Sequence, residues 1–145
     1  MSASIDFFDE LVRAEISLYN AVDARMKAEH GVTVGTIEIL SLIAQAEHAR
    51  VDDIVRALDL RVGTASKIID RYAAAGWVER IPNPDDRRSS WIVLMDAGAK
   101  VLAEGTPTFE ASVTDLVSGL SSGELRTLRA LLVKLAASVD ARRPA

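Results

Sequence analysis

Between Val51 and Ala75 the chain holds two short helical patterns separated by only three residues, and few folds accept that spacing. Val51 to Leu58 carries Ile54, Val55 and Leu58 on one side. Asp59, Leu60 and Arg61 form the joint. The second pattern, Val62 to Ala75, gathers Ala65, Ile68, Ile69 and Tyr72. Two turns of helix, a tight turn and a longer second helix make a helix-turn-helix. Gly76 is expected to end the second helix in the left-handed conformation that a Cβ disfavours.

A charged hairpin follows directly. Trp77, Val78 and Ile81, then Trp91, Ile92 and Val93, are strand formers. Between them lies Asn83-Pro84-Asp85-Asp86-Arg87-Arg88, rich in turn residues. Pro82 and Pro84 cannot donate to a β-ladder, so this is an edge structure.

On either side the periodicity is helical. Phe8, Leu11, Val12, Leu18, Tyr19, Val22 and Met26 predict a helix from about Ile5 to Glu29, capped by Ser4 and closed by Gly31. Thr33 is expected to cap a second helix, Val34 to Ala46, whose stripe is Ile37, Leu40, Ile43 and Ala44. After the hairpin, Val101, Leu102, Phe109, Val113, Leu116 and Val117 mark one long helix that Pro107 should kink. The last helix opens on a capping box, Ser121-Ser122-Gly123-Glu124, with Leu120 and Leu125 as its hydrophobic staple. Its stripe runs through Leu128, Leu131, Leu132, Leu135 and Val139, and the tail from Ala141 should fray. The predicted fold is mostly α with a small β-hairpin wing, in one domain. The apolar helices at the chain ends find no large partner within so small a winged core, which predicts a homodimer.

Composition narrows the function. The net charge is −4, against nucleic-acid binding as a bulk property, but its distribution is uneven. Before Val32, six acids oppose Arg13, Arg25 and Lys27. From Arg61 to Arg88, six basic residues face Asp70, Glu79, Asp85 and Asp86. The absence of cysteine excludes disulfides, thiolate metal sites and cysteine redox sensing. No apolar run is long enough to span a bilayer. Met1 to Asp9 has acids and no basic stretch, so no signal peptide is expected and the location should be cytoplasmic. An enzyme is not expected, nor any cofactor or metal. His30 and His48 belong to no metal-spaced pair, Asp85 and Asp86 are adjacent on a tip, and no glycine-rich phosphate loop is present.

The candidate site residues lie on the second helix and the hairpin tip. With the apolar stripe facing inward, Thr64, Lys67 and Arg71 line the outer face, and Ser66 lies beside them near the start. A helix in the major groove reads bases with its N-terminal residues, where Thr64, Ser66 and Lys67 fall; Arg71 is better placed for a phosphate. A solvated face with two cations is the plain alternative. Arg87 and Arg88 on a rigid turn suit the narrow, negative minor groove. Asp86 either pairs with a guanidinium or accepts from the turn backbone.

This arrangement resembles the MarR (multiple antibiotic resistance regulator) family of winged-helix repressors over nearly the whole chain. The wing carries it most specifically: Asn83 to Arg88, then Ile92-Val93-Leu94 and Ala97-Gly98, placing the family's wing pair on Asp86 and Arg88. Lys67 to Tyr72 and Gly76 to Arg80 resemble the end of its recognition helix and its first wing strand. Where the family has threonine this chain has Met95, so Asp96 is expected to cap the next helix. Arg61 and Gly63 stand where the family often has serine, and Arg61 joins the candidate DNA contacts. The resemblance implies a homodimer on pseudo-palindromic double-stranded operator DNA. Residues 32–98 would bind DNA, and 1–31 and 99–145 would dimerise. It also implies release by a small ligand, often an aromatic anion. Arg13, His30 and Trp77 are side chains that could line a crevice for it, and none is assigned. The alternative is a dimeric winged-helix module that binds protein instead of DNA.

Overall fold

The computed structural model describes residues 2–144. Its elements are α1 (Ala3–His30), α2 (Val34–Gln45), α3 (Val51–Leu58), α4 (Val62–Ala74), β1 (Val78–Pro82), β2 (Ser90–Leu94), α5 (Asp96–Leu116) and α6 (Ser122–Asp140). Among the described residues no helix is long and apolar enough to cross a membrane.

The middle of the molecule is α2. Val34, Thr36, Ile37, Ile39, Leu40 and Ile43 are all buried on it, so its apolar groups surround the helix rather than form one stripe. It is the shared wall of two cores. On one side Ile39, Leu40 and Ile43 meet Ile54 of α3, Ala65, Ile69 and Tyr72 of α4, and Val78 and Ile92 of the hairpin. On the other, Val34 and Ile37 meet Val22 and Met26 of α1, with Phe109 and Val113 of α5 packed against them. Each fully buried aliphatic side chain contributes about 1.5–3 kcal/mol. The double role corrects the expected stripe: Ala44 is exposed, and Ile39, not expected in it, is buried.

The ends of the helices follow from what the chain meets there. Thr33 caps α2, its hydroxyl accepting the Thr36 N–H at 3.1 Å. Ser4 does not cap α1; the cap is Ser2, whose carbonyl accepts the N–H groups of Ile5 and Asp6. Gly31 and Gly76 close α1 and α4 with φ of 67° and 77°. Met95, not Asp96, caps α5, because its N–H is held by the Trp77 carbonyl at 2.9 Å. Asp96 then stands in the first turn, where the helix dipole favours a negative charge. At Gly98 the next turn passes so close that a Cβ would lie 2.2 Å from the Trp77 carbonyl oxygen. From there α5 runs unbroken through Pro107.

In the hairpin Val78 lies opposite Leu94 and Pro82 opposite Ser90. A rung outside the hairpin was not foreseen: the Ile92 N–H donates to the Ala49 carbonyl at 2.8 Å. Asp23 joins α1 to α2, accepting from the Val34 N–H at 2.9 Å and pairing with Lys27 at 2.7 Å. Arg25 joins α1 to α5, reaching Asp115 at 3.0 Å. The capping box of α6 forms with both halves, yet the helix has no buried residue. Beyond it, Arg143 pairs with Asp59 of the helix-turn-helix joint at 3.0 Å.

Candidate nucleic-acid interface

The packing of α4 decides which residues it presents. With Ala65, Ile69 and Tyr72 buried, Thr64, Lys67 and Arg71 are exposed, as their spacing predicted. Tyr72 is anchored beneath by donating to Thr36 Oγ1 at 3.1 Å, and burial pushes its phenol up. Arg61 is the exposed N-cap of α4.

The wing tip is built around Asn83, which is buried although polar. Its Oδ1 accepts the Asp85 N–H at 2.9 Å, and its Nδ2 donates to Ser89 Oγ at 3.1 Å. Asp86 takes the second of the two roles open to it: its Oδ1 accepts the backbone N–H of Arg88 at 2.9 Å. The turn is therefore held by side chain to backbone bonds, and the guanidinium groups of Arg87 and Arg88 remain exposed. Among the described residues no ion pair engages Arg61, Lys67, Arg71, Arg87 or Arg88.

Helix and wing are locked together by Arg80, which the sequence placed in the basic patch without a role. Its Nη2 donates to the Ser66 carbonyl at 3.3 Å, Ser66 Oγ at 3.2 Å and Asp70 Oδ1 at 3.0 Å. Its Nη1 reaches Ser90 Oγ at 3.5 Å. A signal was present: Arg80 shares strand parity with the buried Val78, and an inward cation needs partners. Ser66 thus faces the wing, half-buried under Arg80, rather than the outer face with Lys67.

Between α3, α4 and the wing lies a cavity of about 320 Å³ whose lining includes Arg50, Ser66, Arg80, Asp86, Arg88 and Ser90. Arg50, just before α3, was also missed. Of the candidate residues, Ser66, Asp86 and Arg88 come together here. Arg71 does not; it lines a separate cleft with Thr33, Tyr72 and Trp77. Arg13, His30 and Trp77 do not share a crevice: Arg13 lies in a shallow cleft on α1, His30 bonds Thr108 at 2.7 Å, and the Trp77 ring packs at a tilt against Tyr72, 5.3 Å between centroids.

Residues 32–90, which hold α2 to α4 and most of the wing, match the MarR family model. Over these residues the chain is similar to the MarR family, and the similarity to single relatives runs further. Several of its relatives are described as HTH-type transcriptional regulators. The multiple antibiotic resistance protein MarR of Escherichia coli is 26% identical over 142 residues, covering 93% of this chain and 99% of the relative. The MarR family regulator Sco3205 of Streptomyces coelicolor, solved in complex with DNA, superposes with a TM-score of 0.85 at 20% identity, covering 95% of this chain and 89% of that one. BpsR of Bordetella bronchiseptica, whose DNA binding is regulated by 6-hydroxynicotinic acid, superposes with a TM-score of 0.79 at 21% identity, covering 88% and 91%.

Proposed function

We propose that this chain is a DNA-binding transcriptional regulator of the MarR family, acting in the cytoplasm as a repressor. A homodimer sets two winged helices on a pseudo-palindromic operator, and a small ligand releases it. The observation that carries the reading is the unpaired cationic surface of α4 and the wing, held in one rigid piece by Arg80. Thr64 and Lys67 read base edges in the major groove, Arg61 and Arg71 hold phosphates, and Arg88 enters the minor groove with Arg87 beside it. Asp86 positions Arg88 through the backbone, and Ser66 positions the wing through Arg80. Residues 32–98 form the DNA-binding region.

Residues 1–31 and 99–145 supply the dimer interface. Ile5, Phe7, Phe8 and Ile16 on α1 and Leu128, Leu131, Leu132, Val133 and Val139 on α6 are exposed in the single protomer. A monomer rarely leaves so many large apolar groups in water. Sco3205 in complex with DNA and BpsR under control of an aromatic acid are the fold relatives that agree with this reading.

A gel shift on the DNA upstream of the protein's own gene tests it. Lys67→Ala should weaken binding by ~1–3 kcal/mol and relax preference at one operator position. A folded dimer that binds no such duplex would instead leave the module to a protein partner.

A further inference from the structure

A second cavity lies away from the DNA face, between α1, α2 and α5, with a volume of about 240 Å³. Val22, Val34, Phe109 and Val113 give it apolar walls. Glu15, Tyr19 and Glu38 bring the only polar groups in its lining that can meet a charge. Glu38 is half-buried, and its carboxyl has no hydrogen-bond or ion-pair partner among the described residues. Burial alone pushes it above the usual carboxylate range. Burial and then the charges of Glu38, Asp23 and Glu15 push the Tyr19 phenol up in the same way. The cation whose charge acts on the Tyr19 phenol is Lys27, already tied to Asp23 at 2.7 Å.

We propose that this cavity binds a small organic cation, an ammonium group on an aromatic or aliphatic body. The proposal rests on the reading of the chain as a ligand-released regulator and gives that ligand its charge. An ammonium group beside Glu38 supplies the counter-charge that the carboxyl lacks. The rings of Tyr19 and Phe109 add attraction for a cation. The apolar walls cover the body of the ligand, and cavities of roughly 150 Å³ already admit benzene. An aromatic anion would meet two carboxylates here and no cation in the lining. The site also has a route to the DNA face, because Val34 and Glu38 share α2 with Ile39, Leu40 and Ile43 of the winged core.

Calorimetry on the full chain tests the proposal with benzyltrimethylammonium, benzyl alcohol and benzoate. The ammonium should bind about tenfold more tightly than the alcohol, and benzoate most weakly. Glu38→Gln should remove most of the ammonium's advantage without changing the affinity for the alcohol. Glu15→Gln, on an exposed helix face, should do so in part and serves if the first variant misfolds. Benzoate binding as well as the ammonium, or undiminished ammonium affinity in Glu38→Gln, would overturn the proposal. So would silence with all three probes, which leaves the cavity to a side chain of a second copy. A parallel gel shift separates the two ideas. Ammonium binding that frees DNA supports both, and binding without release supports the cation site while sinking the ligand-release reading.

Discussion

Arg88 and Arg80 divide the wing's work between them. Arg88 is exposed on a turn fixed by Asn83 and Asp86, so its loss touches no packing. Arg88→Ala should leave thermal stability unchanged and weaken DNA binding. If each subunit loses one phosphate contact, the slope of log affinity against log salt should fall by about 2 for the dimer, at ~0.9 per contact. An unchanged slope would place the wing off the DNA. Arg80 acts at one remove, bridging Ser66 and Asp70 of α4 to the wing strands. Arg80→Ala should loosen the wing and weaken DNA binding, and Arg80→Lys should not restore it, because an ammonium cannot supply the guanidinium's fork of donors. Full rescue by lysine would mean that charge alone matters there. Gly98 is a steric case. Gly98→Ala puts a methyl against the Trp77 carbonyl, and backbone cannot swing aside as a side-chain tip does. Urea unfolding should record a loss of about 1–3 kcal/mol.

Among the elements, the joint between α1 and α2 carries a pH dependence. The Lys27 ammonium, and then the Val34 N–H, hold the Asp23 carboxyl below its usual range. A carboxyl lowered in the folded state stabilises above its unfolded value and loses that contribution as pH falls through the folded one. Thermal melts between about pH 5 and pH 2 should therefore show a smaller acid loss in Asp23→Asn than in wild type. Equal acid limbs would remove Asp23 from the account. The helices themselves were legible because apolar spacing survives any arrangement of neighbours: α3 was placed to the residue, and the wing tip was recognised from its turn chemistry. What was missed depends on neighbours. Met95 displaced Asp96 at the α5 cap because the Trp77 carbonyl fixes where the helix enters. Ala44 and Ile39 exchanged places because α2 serves two cores, where a single stripe is the wrong pattern. The Ala49 rung involves one residue, too short to leave any alternation. In the candidate site, exposed readers such as Lys67 were legible from helix geometry, whereas the partners of Arg80 depend on how β1 crosses α4.

For the molecule as a whole, the terminal helices and the winged core are tied by separate contacts. The buried contacts run through α1 and α5, whereas α6 buries nothing within the protomer. Deleting residues 121–145 should therefore leave the winged core folded but abolish dimerisation and operator binding together, as sedimentation and gel shifts would register. A tightly binding monomeric truncation would refute this. The unbroken course of α5 from the wing to the outer helices has a mechanical side. Its 21 residues make a rod of about 30 Å at ~1.5 Å per residue. Pivoting such a rod by about 10° carries its far end through roughly 5 Å, more than the ~3.4 Å between successive base pairs. Two reading heads that must sit about one helical turn apart would then fall out of phase with the duplex, with every bond inside each head intact.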